Sequence, residues 1–326
     1  MDSIKDLGEW RLLAIVQKYC PQEIIGDDGA ILPFPSDRHL VVTTDVLVDG
    51  VHFSDRTTSP EDVGWRAVAA NLSDLAAMGA QPIGITVGLS LPPDLSVAWV
   101  ESLYRGMSEC AGKYRTPIVG GDLCRSSVIT VAITALGKVE PARAIKRNLA
   151  KIGDYIVITG VHGASRGGLA LLLDPESGRN LTEDDRHYLI QAHQRPCPRL
   201  DVLPHLQDIA PVRGIAGMDS SDGLADAILQ ICSRSGVGAE IESVNVPLIP
   251  ALVDLVGVDR AWEWTLYGGE DFELVLCLPP DLAIALVGKL GQNAAIVGKI
   301  VAGNRVVTID GDRRVRAIEP RSFQHF

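Results

Sequence analysis

Long hydrophobic runs are missing from this 326-residue sequence: no segment reaches about 18 uninterrupted apolar residues, so no membrane-spanning helix is expected. Closely spaced cysteines are missing too. The six cysteines stand at 20, 110, 124, 197, 232 and 277, with no CxxC and no compact disulfide framework, which points to a reducing cytoplasm. There is no basic excess; the net charge is −11, which argues against a general nucleic-acid binder. At the start, MDSIKDLGEW carries acids where a signal peptide would carry bases and then an apolar run, so no leader is expected. Neither GxxxxGK[ST] nor GxGxxG occurs, which excludes a P-loop and a kinase-type glycine loop. The seven histidines offer no spacing for a Ser-His-Asp or Cys-His arrangement.

What is present suits a packed protein. Apolar residues make up 46% of the chain and charged residues 22%, enough for a sizeable core. The length favours two domains of roughly 150 residues each. Strand and helix patterns alternate in both halves, so the fold class is α/β with mixed sheets. Helices are predicted over 9–18, 59–79 and 95–114, and strands over 40–48, 83–91 and 128–136. In the second of these helices Ser59 suits the cap, Pro60 the first helical position and Asp62 a capping box, with Gly79 as the stop. VGGD (119–122) reads as a turn, and GVHGASRGG (160–168) as a glycine-rich turn after the strand YIVIT. The predicted organisation is an N-terminal domain over 1–139, a basic linker over 140–154 and a C-terminal α/β domain over 155–326.

The aspartates carry the chemistry. GDDGA (26–30), TTD (43–45), NLSD (71–74) and GGD (120–122) each set an aspartate beside glycine, serine or threonine in apolar surroundings. MDSSDGL adds Asp219 and Asp222 at a turn ahead of a helix. Asn71 and Asp74 share one helix face, and that helix is apolar enough to be largely buried, taking Asp74 with it. Hard divalent cations want oxygen ligands, and Mg²⁺ keeps positions for water and substrate phosphates. Any one of these motifs alone is as readily a helix cap or turn, Asp222 above all. Five in one chain favour a metal-phosphate site, which also resolves how an acidic protein would hold a phosphorylated substrate. Arg143, Lys146, Arg147 and Lys151 form either a solvated linker or a clamp on a triphosphate. GVHGASRGG is either a phosphate cradle or a tight turn.

In order, GDDGA, TTDVLVDGVHF, ANLSDLAAMGA, GGD, SSDGL and YGGEDFEL resemble the motif set of the thiamine-monophosphate kinase family. That family lies in the superfamily of aminoimidazole ribotide synthetase, selenophosphate synthetase and a hydrogenase maturation protein. The resemblance implies the two-domain fold of that superfamily and a homodimer that pairs its N-terminal sheets, with the active site in a cleft between the domains. It implies direct transfer of the ATP γ-phosphoryl group to thiamine monophosphate, with several Mg²⁺ ions and no phosphoenzyme. By the same resemblance the metal ligands are Asp27, Thr43, Thr44, Asp45, Asp74, Asp122, Asp219 and Asp222. The ATP contacts are Tyr104, Gly121, Asp122, Arg147 and Ser221, and the thiamine phosphate contacts are His52, Glu270 and Phe323. Asp45, Asp74 and Arg147 are the expected electrostatic centre, and no general base is nominated because the acceptor phosphate is already largely ionised near neutral pH. Asp49 is expected to be a turn residue.

The chain departs from the family at SFQHF, where a Gly-Tyr-Asp-His-Phe-like ending is expected, and at Lys151-Ile152-Gly153-Asp154, where Pro usually precedes Gly. Among rivals, selenophosphate synthetase needs a reactive cysteine that Cys20 does not supply, and the hydrogenase maturation protein ends in a functional cysteine where this chain reads QHF. Aminoimidazole ribotide synthetase fits TTDVLVDGVHF poorly. A non-catalytic Mg-nucleotide scaffold would have no reason to keep the full acid set.

Overall fold

The computed structural model describes residues 4–7, 9–21, 34–209 and 214–321. These form two compact units, Met1–Leu75 with Ala80–Val139, and Ala76–Gly79 with Glu140–Phe326. Asp27 and Phe323 lie outside the described residues.

In the first unit the helices α1 (Ile4–Leu7) and α2 (Glu9–Val16) precede β1 (His39–Val48). Then come α3 (Pro60–Ala77), β2 (Gln81–Leu91), α4 (Val97–Lys113), β3 (Ile118–Arg125) and β4 (Thr130–Val139). The sheet runs β1-β4-β2-β3, antiparallel except for the parallel β2–β3 pair. Register aligns Thr44 with Thr134 and Thr134 with Thr86, so threonines line one face. On the other face Ile85, Val87, Leu89, Val131, Ile133 and Ala135 are buried. Each of the valines, leucines and isoleucines among them contributes about 1.5–3 kcal/mol by leaving water. Along β1 the alternation is two-sided. Val42 and Val46 are exposed on the threonine face, while Thr43, Asp45 and Leu47 turn the other way.

The start of α3 follows its sequence. Ser59 Oγ accepts from the Asp62 N–H at 3.2 Å and donates to the Asp62 carboxylate at 2.6 Å, closing the capping box. VGGD, by contrast, lies inside β3 and is not a turn. A Cβ on Gly121 would stand 2.1 Å from the Val87 carbonyl, so these glycines serve close strand approach.

The second unit holds β5 (Ile145–Lys146), β6 (Tyr155–Ile158), α5 (Ala164–Leu173), α6 (Glu183–Gln194), α7 (Val202–Ile209), β7 (Ile215–Asp219) and α8 (Leu224–Ser235). It continues with β8 (Gly238–Glu242), α9 (Pro250–Val256), α10 (Val258–Tyr267), β9 (Leu274–Leu278), α11 (Pro280–Leu290), β10 (Ala295–Val301), β11 (Val306–Ile309) and β12 (Val315–Ala317). The strands form one mixed sheet, β12-β11-β8-β10-β6-β9-β7-β5. Alternate residues feed two cores. Ile156, Ile158, Val275 and Cys277 pack with Ile228 and Ile231 of α8. Val157, Leu274, Leu276 and Leu278 pack with Leu203 and Leu206 of α7 and Leu286 of α11. A third cluster joins α5, α6, α9 and α10 through Leu171, Leu189, Leu252 and Ala261.

Residues 140–154, expected as a linker, group with this unit, and their Ile145–Lys146 segment pairs in parallel with β7. The predicted GVHGASRGG turn is shorter than expected, because α5 already begins at Ala164. A Cβ on Gly168 would meet the Leu189 carbonyl at 2.0 Å, so this glycine lets α6 approach.

Candidate functional site

In the first unit two of the aspartate motifs meet. The Thr43 hydroxyl on β1 donates to Asp74 Oδ2 on α3. Two residues on, the Asp45 N–H donates to Asn71 Oδ1 at 3.1 Å, and Asn71 Nδ2 donates to the Ala67 carbonyl at 2.9 Å. The second bond fixes which end of the Asn71 amide faces the strand. β1 is an edge strand, so the helix supplies an acceptor that the sheet does not. Asn71 and Ser73 are fully buried, but Asp74 is only half-buried, and so is Asp45. The expectation that Asp74 would be buried with its helix is corrected here: it lies where α3 faces Thr43, and it keeps solvent access.

The other first-unit candidates fall elsewhere. Thr44 lies on the opposite face of β1, its hydroxyl 2.8 Å from that of Thr134. Asp122, aligned with Gly88, shares that threonine face on the exposed edge strand β3, beside Gly121. Tyr104 is 4% exposed, with its ring centroid 5.5 Å from that of Tyr19, a placement that speaks against an open nucleotide contact. His52 Nδ1 accepts from the Val48 N–H at 3.1 Å while the His52 N–H donates to the Val48 carbonyl at 2.9 Å. The proton of the neutral ring therefore sits on Nε2. Asp49 is exposed in the turn that this lock closes.

In the second unit the turn after β7 packs against the turn after α10. Asp219 is 3% exposed and accepts from Ser221 Oγ at 3.2 Å. The Glu270 N–H donates to the Ser221 carbonyl at 2.7 Å, and Gly269 has room for no side chain because a Cβ would lie 2.6 Å from the same oxygen. Gly223, with φ 104°, occupies the N-cap position of α8, so Asp222 is not the cap. Arg147 reaches the flank of that helix: its Nη1 donates to Gln230 Oε1 at 2.5 Å, and Gln230 Nε2 donates to Asp226 at 2.5 Å.

Next to this turn lies a polar group that the sequence reading left out. Asp271 accepts from the Gly163 N–H at 2.6 Å and the Ser165 N–H at 2.9 Å, at the start of α5. Burial pushes its carboxyl up to about 7. Glu273 takes hydrogen bonds from Thr159 and Arg199. Burial raises the Glu273 carboxyl against the pull of Arg199. Arg199 also binds Asp201 through two 3.0 Å bonds; burial disfavours its charge, but its two acidic partners outweigh that. The run GEDFE sets three acids ahead of an apolar strand, but neither Asp271 nor Glu273 adjoins glycine, serine or threonine, so the pattern that picked out the other aspartates passes over both.

Among the described residues no group of three or more His, Cys, Asp or Glu is placed to hold a metal ion. The β1–α3 set nevertheless fits Mg²⁺ in kind: two carboxylates and a hydroxyl, all hard oxygen donors, with solvent access for water and phosphate oxygens.

Two family descriptions match the chain: AIR synthase related protein, N-terminal domain, over residues 26–139, and AIR synthase related protein, C-terminal domain, over residues 151–311. The thiamine-monophosphate kinase of Synechococcus elongatus is 50% identical over 327 residues, covering 99% of this chain and 98% of that protein. The chain belongs to the thiamine-monophosphate kinase family. Another member, from Aquifex aeolicus, is 35% identical over 99% of both chains. Solved structures agree. The thiamine-monophosphate kinase from Stenotrophomonas maltophilia K279a superposes with TM-score 0.79 at 34% identity, over 91% of this chain and 94% of that one. AaThiL complexed with AMPPCP and TMP superposes with TM-score 0.77 at 34% identity, over 100% and 99%. Family membership thus rests on both units.

Proposed function

We propose that this protein transfers the γ-phosphoryl group of ATP directly to a phosphate oxygen of thiamine monophosphate, giving thiamine diphosphate. The observation that carries the reading is the meeting of TTD and NLSD, in which Thr43, Asp45 and Asp74 are joined across β1 and α3 within a member of the family. Phosphoryl transfer needs positioning and neutralisation of charge more than covalent work by the protein. Accordingly no side chain is assigned as a base, and no phosphoenzyme forms. Mg²⁺, when bound, would offset the negative charge shared by the nucleotide and the acidic chain. Asp45, Asp74 and Thr43 would hold it in the first unit, and Asp219 and Asp222 in the second, with Asp27 assigned by resemblance alone.

The chain's own residues have distinct tasks in this reading. Thr43 holds the Asp74 carboxylate and Asn71 holds the Asp45 backbone before any ligand arrives, so little reorganisation of the strand against the helix is needed. Gly121, Asp122, Ser221 and Arg147 are assigned to the nucleotide, Gly121 through its backbone and Asp122 through its carboxylate. Arg147 brings a guanidinium suited to phosphate oxygens. His52, Glu270 and Phe323 are assigned to thiamine monophosphate. Thr44 and Tyr104 have the weakest support, since one faces away from Asp45 and the other is enclosed.

We further propose a homodimer formed through the threonine face of the first unit's sheet. Val42 is 54% exposed and Val46 45% exposed on that face, apolar surface that a second copy would cover. The scattered cysteines, with no CxxC and no compact disulfide framework, support the cytoplasm as the site of action. The test is direct: purified protein with MgATP and thiamine monophosphate should yield thiamine diphosphate and ADP. Absence of product, with conversion of formylglycinamidine ribotide instead, would move the assignment to the synthetase branch.

A further inference from the structure

The turn between α10 and β9 holds two residues with side chains in the left-handed region, Glu270 at φ 66° and Phe272 at φ 53°. Residues other than glycine enter that region only when their surroundings impose it. Asp271 stands between them, clamped by both carboxylate oxygens to the first turn of α5, through the N–H groups of Gly163 and Ser165. Phe272, 6% exposed, is driven into the core on the far side. On the near side the Glu270 N–H is held by the Ser221 carbonyl. The Glu270 carboxylate then lies 3.9 Å from His193 Nδ1, and that nitrogen is 3.1 Å from Ser165 Oγ. Ser165 is therefore the common anchor: its N–H serves Asp271 and its hydroxyl serves the histidine beside Glu270.

We infer that Asp271 is a positioning residue for thiamine monophosphate, holding Glu270 in its left-handed conformation against His193 through the clamp on α5. The inference rests on the reading of Glu270 as a substrate contact. Three carboxylates, Glu270, Asp271 and Glu273, are crowded into four positions, and without the clamp their repulsion would open the turn. Asparagine at 271 keeps the shape but offers one acceptor where two N–H groups converge.

Steady-state kinetics on the full-length chain with MgATP test this in Asp271→Asn, Glu270→Gln and the double variant. Asp271→Asn should raise KM for thiamine monophosphate about tenfold, with KM for ATP and kcat within about twofold of wild type. Glu270→Gln should raise the same KM, and the double variant should be no worse than the more affected single variant. Multiplying effects in the double variant, or an unchanged KM in a folded Asp271→Asn, would overturn the inference. An unchanged KM in Glu270→Gln would remove the substrate-contact reading and the inference with it. Should Asp271→Asn not fold, Ser165→Ala keeps the N–H and removes only the hydroxyl that holds His193. It should raise KM for thiamine monophosphate about threefold in wild type and not in Glu270→Gln; no change in the wild-type background overturns the inference.

Discussion

The Thr43 hydroxyl donates to the Asp74 carboxylate across 31 positions of sequence, tying strand β1 to helix α3. Asp45 is bound to the same helix through Asn71. The Asp74 carboxylate and the backbone that carries Asp45 are thus held in a fixed relation, with both side chains keeping solvent access, the condition for a site that receives charged oxygens.

Substituting either carboxylate should remove activity and spare the fold. Asp45→Asn and Asp74→Asn are each expected to lower kcat by at least about a hundredfold, since removal of a charged anchor for a transferring phosphate costs several kcal/mol. Circular dichroism melts should stay near wild type. Near-normal turnover in both variants would remove these residues from the mechanism.

Gly121 should resist even the smallest side chain. A Cβ there would be 2.1 Å from the Val87 carbonyl, a backbone atom that moves only with its strand. Gly121→Ala should lose about 1–3 kcal/mol of stability in urea unfolding. An alanine variant as stable as wild type would mean that β3 can shift freely.

Arg147 is held by an amide whose orientation is set in turn by Asp226. Gln230→Ala should raise KM for ATP about three- to tenfold while leaving KM for thiamine monophosphate alone. Asp226→Ala, which frees the amide to flip, should act in the same direction and less strongly. A lower KM for ATP would instead mean that Gln230 holds the guanidinium away from the nucleotide.

Asp271 should leave a signature in the pH dependence of stability. Its carboxyl is pushed up to about 7, first by burial, with Glu273 and Glu270 adding to it and the two N–H bonds opposing. An unfolded aspartate releases its proton near ~4, so between about pH 4 and 7 the folded chain binds more protons and stability falls as pH rises. His162 works the other way: burial lowers it to about 4, so stability is lost as pH falls from about 6.5 towards 4. Because the two slopes oppose, the comparison is between wild type and Asp271→Asn. The wild-type stability relative to the variant should decline from pH 4.5 to 7 in urea unfolding. A constant difference would show that Asp271 does not titrate in this window.

Much of this was legible in the residues. Ser59 and Asp62 announced the start of α3, and the near-continuous run of β-formers in VVTTDVL announced β1. Where turns were misread, glycine was the reason. In VGGD and GASRGG it permits a neighbouring strand or helix to come close, and a single sequence does not separate that use from a turn. Asp74 was read as buried because its neighbours are; which side of α3 it occupies depends on Thr43, a partner fixed only by tertiary structure. Asp271 was missed for a related reason, since its two partners lie more than a hundred positions earlier.

The alternation of β1 has one more consequence. Thr43 and Asp45 point to the helix, and Val42, Thr44 and Val46 to the other side. A single residue inserted near the start of the strand would leave the ladder of backbone bonds available, yet it would send the valines to Asp74 and the carboxylate to the outer face. Parity, more than composition, is what β1 encodes. Substitutions on either face should be graded in effect, whereas insertions should be silent or ruinous according to whether their length is even or odd.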